Sequence, residues 1–433
     1  MAQAARGTAA LLLLIGVSGC FGGGDDPTPK SRARQVSYDS ALLTGVARCK
    51  GPSACSAHYR YRVRGSDRWV RTPPASDSSL RPGDDERAVR AQRVTALRPA
   101  TLYEFEACSS TARGDRCGPP DGGDPETGRF RTKLRWRPPR LENPHFIDLD
   151  TKPDYCRDTS PTGGNGSLEA GEDYLIRLPS APLRCPLDVR GGDDVVIKGG
   201  EIDIPDVNES PRNPELHRGL YLTGQTGTVH IEGVRLRGSE LSVPIVLNQA
   251  EGATVQIQQV RADRIFTDYP NWQPLHADCV QTWAGPKVLR VDGYTCTTDY
   301  FGLQLSPTQY GDDANTWPQL MEFRHMNFGP WRPDDLTRFM FWRTRTDPRD
   351  SWWPMIFDEV WTEPGYGGTG TETQFTCYSA QFVAPIPEND GVWQEKSHDQ
   401  DCRTWPPFEF GQPPDGDFVK AGDVGLEYSS PGY

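Results

Sequence analysis

The chain contains no later apolar run of roughly 20 residues, the length a helix needs to cross a bilayer, so no transmembrane helix is expected. Positive charge is in deficit: 47 Lys and Arg stand against 59 Asp and Glu, for a net charge of −12. A nucleic-acid binder needs a basic footprint to displace counterions, and that class is excluded. Lysine is scarcest, eight of the 47 basic residues. Arginine therefore carries most of the positive charge, in a form suited to gripping a carboxylate through two hydrogen bonds. No Cys-x-x-Cys occurs and none of the seven His has a ligand spacing with Cys, which argues against zinc. Apolar residues make up only 36%, below the usual globular share. What is present in quantity is Gly (44), Pro (39), Trp (12) and Cys (11). Such a chain favours turns and short strands over long helices. At roughly 150 residues per domain, 433 residues predict two or three domains.

One short apolar run stands at the start. Ala9–Val17, centred on Leu11-Leu12-Leu13-Leu14-Ile15, follows Arg6 and is too short to span a bilayer, so 1–19 reads as a signal peptide. It ends in Val17-Ser18-Gly19-Cys20, which resembles a bacterial lipobox. The resemblance implies cleavage before Cys20, acylation of its thiol, and membrane anchoring of an extracytoplasmic protein. Residues 20–35, rich in Gly, Pro and Asp, read as a flexible tether. Setting Cys20 aside resolves the odd cysteine count. The other ten pair most simply in sequence order: Cys49–Cys55, Cys108–Cys117, Cys156–Cys185, Cys279–Cys296 and Cys377–Cys402; sequence leaves the connectivity open.

Residues 36–134 read as short strands. Ala57–Arg64 alternates apolar and polar residues, Trp69-Val70-Arg71 returns after a turn, and Arg93–Leu97 leads into Leu97-Arg98-Pro99-Ala100-Thr101-Leu102-Tyr103-Glu104-Phe105. That last stretch resembles the fibronectin type III signature. The resemblance implies a β-sandwich in which the Tyr103 hydroxyl bonds upstream backbone. The tryptophan usual in the second strand of that family is missing, with Ala41–Val46 in its place.

Residues 135–433 follow a different pattern. Strand-like segments start at Val195, Val229, Val255, Val288, Met321 and Met355, and a second set lies between them around Leu220, Ile245, Val280, Leu303 and Phe339. Spacings of 26 to 34 residues between strand segments signal a solenoid. This repeat resembles the pectin-lyase-like superfamily, which implies a right-handed parallel β-helix; the glycine- and proline-rich part from Gly365 on is expected to cap its end. The expected fold class is thus all-β, a fibronectin type III-like β-sandwich followed by a right-handed parallel β-helix.

In-register stacking of the rungs places Gln281 beside Gln304 in an outward column with Tyr221 and Val246, and brings His276 opposite Asp299 and Ala277 opposite Tyr300. His276-Ala277-Asp278-Cys279-Val280-Gln281 resembles a histidine-x-aspartate-glycine-x-glutamine motif of secreted β-helix proteins, with Cys279 in place of the glycine. A catalytic reading makes His276 the general acid or base, oriented by Asp278 or Asp299. Gln281 and Gln304 then bond sugar hydroxyls while Tyr300, Trp283 and Tyr269 stack on sugar rings. A structural reading, with His and Asp bonded to loop backbone and glutamines forming an amide ladder, stands beside it. Asp312-Asp313 offers the paired aspartates of a galacturonase-like hydrolase, but in a loop-like stretch and without the glycine-histidine-glycine that should follow. Asp263 and Asp268 make no defined calcium pattern, so no cofactor is expected. The expected partner is a polysaccharide, bound and, on the catalytic reading, cleaved by a lyase or hydrolase reaction; a non-catalytic scaffold or adhesion protein is the alternative.

Overall fold

The computed structural model describes residues 31–433 except 50–54, 76–86, 113, 118–127, 152–165, 207–212, 267–274, 276, 299–300, 311–312, 332–340, 344–352, 363–380, 386–391 and 399–407. Cys20, Cys156, Cys377, Cys402, Tyr269, His276, Asp299 and Tyr300 lie outside the described residues.

The first part carries two antiparallel sheets. Arg32–Arg34, Ala41–Ala47 and Arg87–Val94 form one. Val70–Arg71, Ser56–Val63 and Leu102–Thr111 form the other, with Gly114–Cys117 and Gly128–Arg131 both pairing with Leu102–Thr111. Residues of both sheets share one buried cluster that includes Leu43, Tyr59, Val89, Phe105 and Phe130. Burying each such side chain contributes about 1.5–3 kcal/mol. The Tyr103 hydroxyl accepts from Arg98 N–H at 2.9 Å, five residues upstream. Disulfides join Cys49 to Cys55 and Cys108 to Cys117, the latter pair directly opposed across their strands.

The second part is a parallel β-helix. Among the described residues, one sheet stacks Gly166–Ser167, Leu187–Arg190, Arg218–Thr223, Val243–Asn248, Asp278–Ala284, Phe301–Leu305 and Phe341–Arg343. The longer sheet stacks His145–Asp148, Tyr174–Arg177, Val195–Lys198, Thr228–Glu232, Thr254–Ile265, Val288–Thr298, Leu320–Pro330 and Met355–Thr362, all parallel. Inward rows such as Leu220, Ile245 and Leu303, facing Val195, Val229, Val255 and Leu289, fill one continuous core. From Val195 on, each coil of the longer sheet bends at one aligned position held at positive φ: Gly199, Gly233, Gln259, Gly293, His325 and Glu359. Three of these six corners are glycine, the residue that adopts this conformation without steric cost.

Several expectations need correction. Leu289, not Val288, aligns with Val255, and Leu289 is the one fully buried. A one-residue slip exchanges the two faces of a strand, and the paired apolar residues Val288-Leu289 hid the register. Leu303 pairs with Phe341 rather than Phe339. The coils at 145 and 174 escaped the repeat because the positions aligned with Val195 are Tyr174 and His145, not aliphatic residues. The expected Cys279–Cys296 disulfide is present. It joins a strand of the seven-stranded sheet to one of the longer sheet, and both cysteines are part of the core. Cys185 is also disulfide-bonded, and its expected partner Cys156 is outside the described residues.

At the far end Val392–His398 pairs antiparallel with Met355–Thr362, and Gln381–Pro385 pairs with it in turn. Residues 411–433 do not stay at that end. From Gly411, bonded to the Thr362 carbonyl, they run back past Asn327, Thr295, Arg261 and Gly233 to Lys198.

Candidate functional site

The residues expected to form a site separate into a buried group and a surface group. Asp278, Gln281 and Gln304 do meet. Register places Gln281 beside Gln304, and Gln281 Nε2 donates to Gln304 Oε1 at 2.8 Å. Asp278 Oδ2 lies 2.5 Å from the same end of the Gln304 amide. Cys279 and Val280, adjacent in sequence, both enter the core, so strict alternation breaks and Asp278 shares a side with Gln281. Two oxygens so close need a proton between them. Turning the Gln304 amide around would let its N–H reach Asp278, but would set that N–H against Gln281 Nε2. A protonated Asp278 donating to Gln304 satisfies all three groups as they stand. Complete burial also drives the Asp278 carboxyl well above the usual carboxylate range. Gln281 and Gln304 are 7% and 3% exposed. The trio thus meets beneath the sheet surface, with Asp278 fully buried and the two glutamine amides bonded to one another.

Trp283 lies two residues on, at the surface. The pairing of Val243–Asn248 with Asp278–Ala284 slips after Leu247, with Asn248 opposite Ala284, so Trp283 is the extra residue of a bulge. Its ring lies 5.9 Å from Tyr221 and 5.9 Å from Tyr310, edge to face with the latter. The loop carrying Tyr310 is pinned here by backbone bonds from Tyr310 N to the Trp283 carbonyl and from Gly285 N to the Pro307 carbonyl. Arg218 lies over both Trp283 (4.6 Å) and Tyr221 (5.3 Å), and Arg190 lies over Tyr221 at 5.3 Å. Asp188, directly opposite Tyr221, accepts from Arg190 at 2.6 Å, and Asn248 donates to the Tyr221 hydroxyl at 3.0 Å. The Asp188 carboxylate also raises the Arg190 pKa, so this guanidinium is always charged. Tyr310 is 62% exposed, the most exposed large hydrophobic side chain among the described residues.

The result is a cluster on the outer side of the seven-stranded sheet, with the exposed Tyr310 ring and the half-buried Trp283 at one end, the partly exposed Arg190 and its paired acid at the other, and Tyr221 and Arg218 buried between them. Such a surface offers stacking to the C–H face of a sugar and hydrogen bonds to its hydroxyls. Of its members, sequence reasoning singled out Trp283 for a role and placed Tyr221 in the outward column. Arg190, Arg218 and Asn248 were missed because their neighbourhood comes from coils 25 to 35 residues apart.

A second polar constellation lies in the N-terminal part. His58 Nδ1 lies 3.2 Å from Ser110 Oγ, and His58 Nε2 lies 3.3 Å from Asp115. Burial, followed by the Arg71 charge, lowers the His58 pKa. Ser110 Oγ, however, donates to Asp115 at 2.6 Å and accepts from Arg71 at 2.7 Å. Its proton is committed to the carboxylate and not to the imidazole, so the trio braces three strands and does not generate a nucleophile. Glu106, Cys108 and Cys117 converge as metal ligands do, but both sulfurs are locked in their disulfide.

No protein-family model matches the chain, and no curated protein matches it. Similar solved structures include a family 28 exopolygalacturonase of Yersinia enterocolitica, 10% identical, covering 78% of this chain and 86% of that one with a TM-score of 0.16. They also include the sensor domain of the anti-sigma factor RsgI4 of Pseudobacteroides cellulosolvens, 18% identical, covering 24% of this chain and 90% of that one with a TM-score of 0.16. At those scores neither similarity bears on what this chain does, and the functional reading rests on the site itself.

Proposed function

We propose that this chain is a cell-envelope lipoprotein, anchored through Cys20, whose β-helix binds extracellular polysaccharide along the outer face of its seven-stranded sheet. The observation that carries the reading is the exposed Tyr310 ring set against Trp283, with Arg190 nearby and the buried Tyr221 and Arg218 supporting them from beneath. Three disulfides between described cysteines suit an oxidising compartment. The part before residue 135 is read as a fibronectin type III-like module, supported by the Tyr103 hydroxyl bond to Arg98 N–H. Binding is favoured over cleavage because Asp278 is fully buried and out of reach of a glycan lying on this face.

A glycan array on the full chain, followed by titration of the best ligand, tests the proposal. Tyr310→Ala should weaken binding about tenfold, as expected for loss of one stacking ring. Trp283→Ala should weaken it at least as much, because the Tyr310 ring also loses its support. No bound glycan, or binding unchanged in both variants, would overturn the assignment of this face.

A further inference from the structure

The C-terminal segment makes more contacts to both parts of the molecule than an end cap requires. It touches the N-terminal module at Asp415, which accepts from Ser66 at 2.7 Å and pairs with Arg98 at 3.3 Å. Phe418 lies under the Arg98 guanidinium at 4.9 Å, and Asp423 pairs with Arg131 at 3.5 Å. It touches the β-helix in the same stretch. Asp417 pairs with Arg261 at 2.7 Å and accepts from Asn327 at 2.8 Å. Phe418 N and Val419 N donate to Asn327 Oδ1 and Thr295 Oγ1, and Arg261 also donates to the Val419 carbonyl. Further on, Gly425 exchanges backbone bonds with Gly200 and Gly233, and Tyr433 stands over Lys198 and bonds Lys133 through its carbonyl.

The route follows the positive-φ corners of the coils. Phe418 packs on His325, Tyr428 on Gly233 and Gly199, and Arg98 of the N-terminal module reaches Glu359 directly. The connection between the two parts is held in the same place. Leu134 N donates to the Gly432 carbonyl, and the Arg135 and Trp136 N–H groups both donate to Gln258 Oε1. Arg135 also pairs with Asp292 at 2.7 Å, which in turn holds His325 at 2.6 Å.

From this double set of contacts we infer that residues 411–433 are a strap that locks the N-terminal module onto the corner edge of the β-helix, making one rigid body of two folding units. The module is then a fixed bracket and not a swinging spacer. It sits on the longer sheet's flank and, among the described residues, neither module nor strap covers the outer face of the seven-stranded sheet. The inference stands apart from glycan binding, since none of its contacts involves the aromatic cluster.

The test uses the full chain and two variants. Arg98→Ala removes the three contacts of one module side chain. The combined Asp415→Ala, Asp417→Ala and Phe418→Ala variant detaches the strap from both sides. The readouts are hydrogen exchange of the 134–136 amides and small-angle scattering, with circular dichroism confirming that the strands remain. In the combined variant, exchange at 134–136 should rise about tenfold or more and the scattering profile should broaden toward an open two-body shape. Arg98→Ala should shift both in the same direction by less. Unchanged exchange and scattering in a folded combined variant would overturn the strap. If that variant fails to fold, unchanged exchange and scattering in Arg98→Ala would overturn it.

Discussion

At the scale of single residues, the internal acid is the sharpest feature. Asp278 is fully buried, and its folded-state pKa is raised by desolvation. In the unfolded chain it loses its proton from about pH 4 upward, while in the folded chain it keeps it. The unfolded state therefore binds fewer protons as pH rises, and this group's contribution to stability falls from about pH 4 toward its raised folded pKa. An asparagine side chain at this position would present an N–H to Gln304 where the protonated acid presents an O–H. Asp278→Asn should match wild type near pH 3 and become progressively more stable than it toward neutrality, where about pH 4 marks the onset of the difference. Thermal unfolding across that range checks this, and parallel curves would refute it. The sequence placed Gln281 beside Gln304 by register alone, whereas the pairing of Asp278 with them depends on Cys279 and Val280 both turning inward.

At the scale of elements, the corner column controls the path of every coil from Val195 on. Gly233 and Gly293 occupy equivalent corners at φ of +69° and +76°. A side chain at either costs about 1–2 kcal/mol for the left-handed backbone. At Gly293 an added Cβ meets nothing closer than Gln259 Oε1 at 3.3 Å, whereas at Gly233 it runs into the Tyr428 ring. Gly233→Ala should therefore destabilise the protein more than Gly293→Ala, and denaturant unfolding of the pair isolates the seating of Tyr428. Equal losses would show that the ring moves aside without cost. The Cys279–Cys296 bridge closes a 17-residue span between the two sheets. Replacing both cysteines with alanine should cost about 3 kcal/mol by the loop-entropy argument, visible as a lower denaturant midpoint in the double variant. The repeat in the sequence identified most of these coils because each must present the same apolar residues to the same core. It missed the coils at 145 and 174, whose strands open on His145 and Tyr174, and slipped at Val288-Leu289, where two apolar neighbours fit either face.

At the scale of the whole molecule, two parts with different local patterns are held together by a third segment that has neither. The Gly425–Tyr433 end shows no motif, because its order comes from the surfaces it crosses. Its backbone bonds go to Gly200, Gly233 and Leu134, positions far apart in the chain. If the strap is intact, glycan affinity and module orientation are separate properties. Tyr310→Ala should weaken binding with scattering unchanged, while the strap variant should alter scattering with affinity largely retained.

The division between what was legible and what was not follows interaction range. Periodicity and composition are local, so the all-β class and the coil repeat could be read directly, while three of the sequential disulfide pairings were the simplest of several open to the sequence and the Tyr103 corner was implied by a family resemblance. The aromatic cluster and the strap depend on which side chains from distant coils share a surface. That is set by register, by the bulge at Trp283 and by the route of a motif-free tail, and only tertiary packing decides those, because each is the sum of many weak contacts with no local signature.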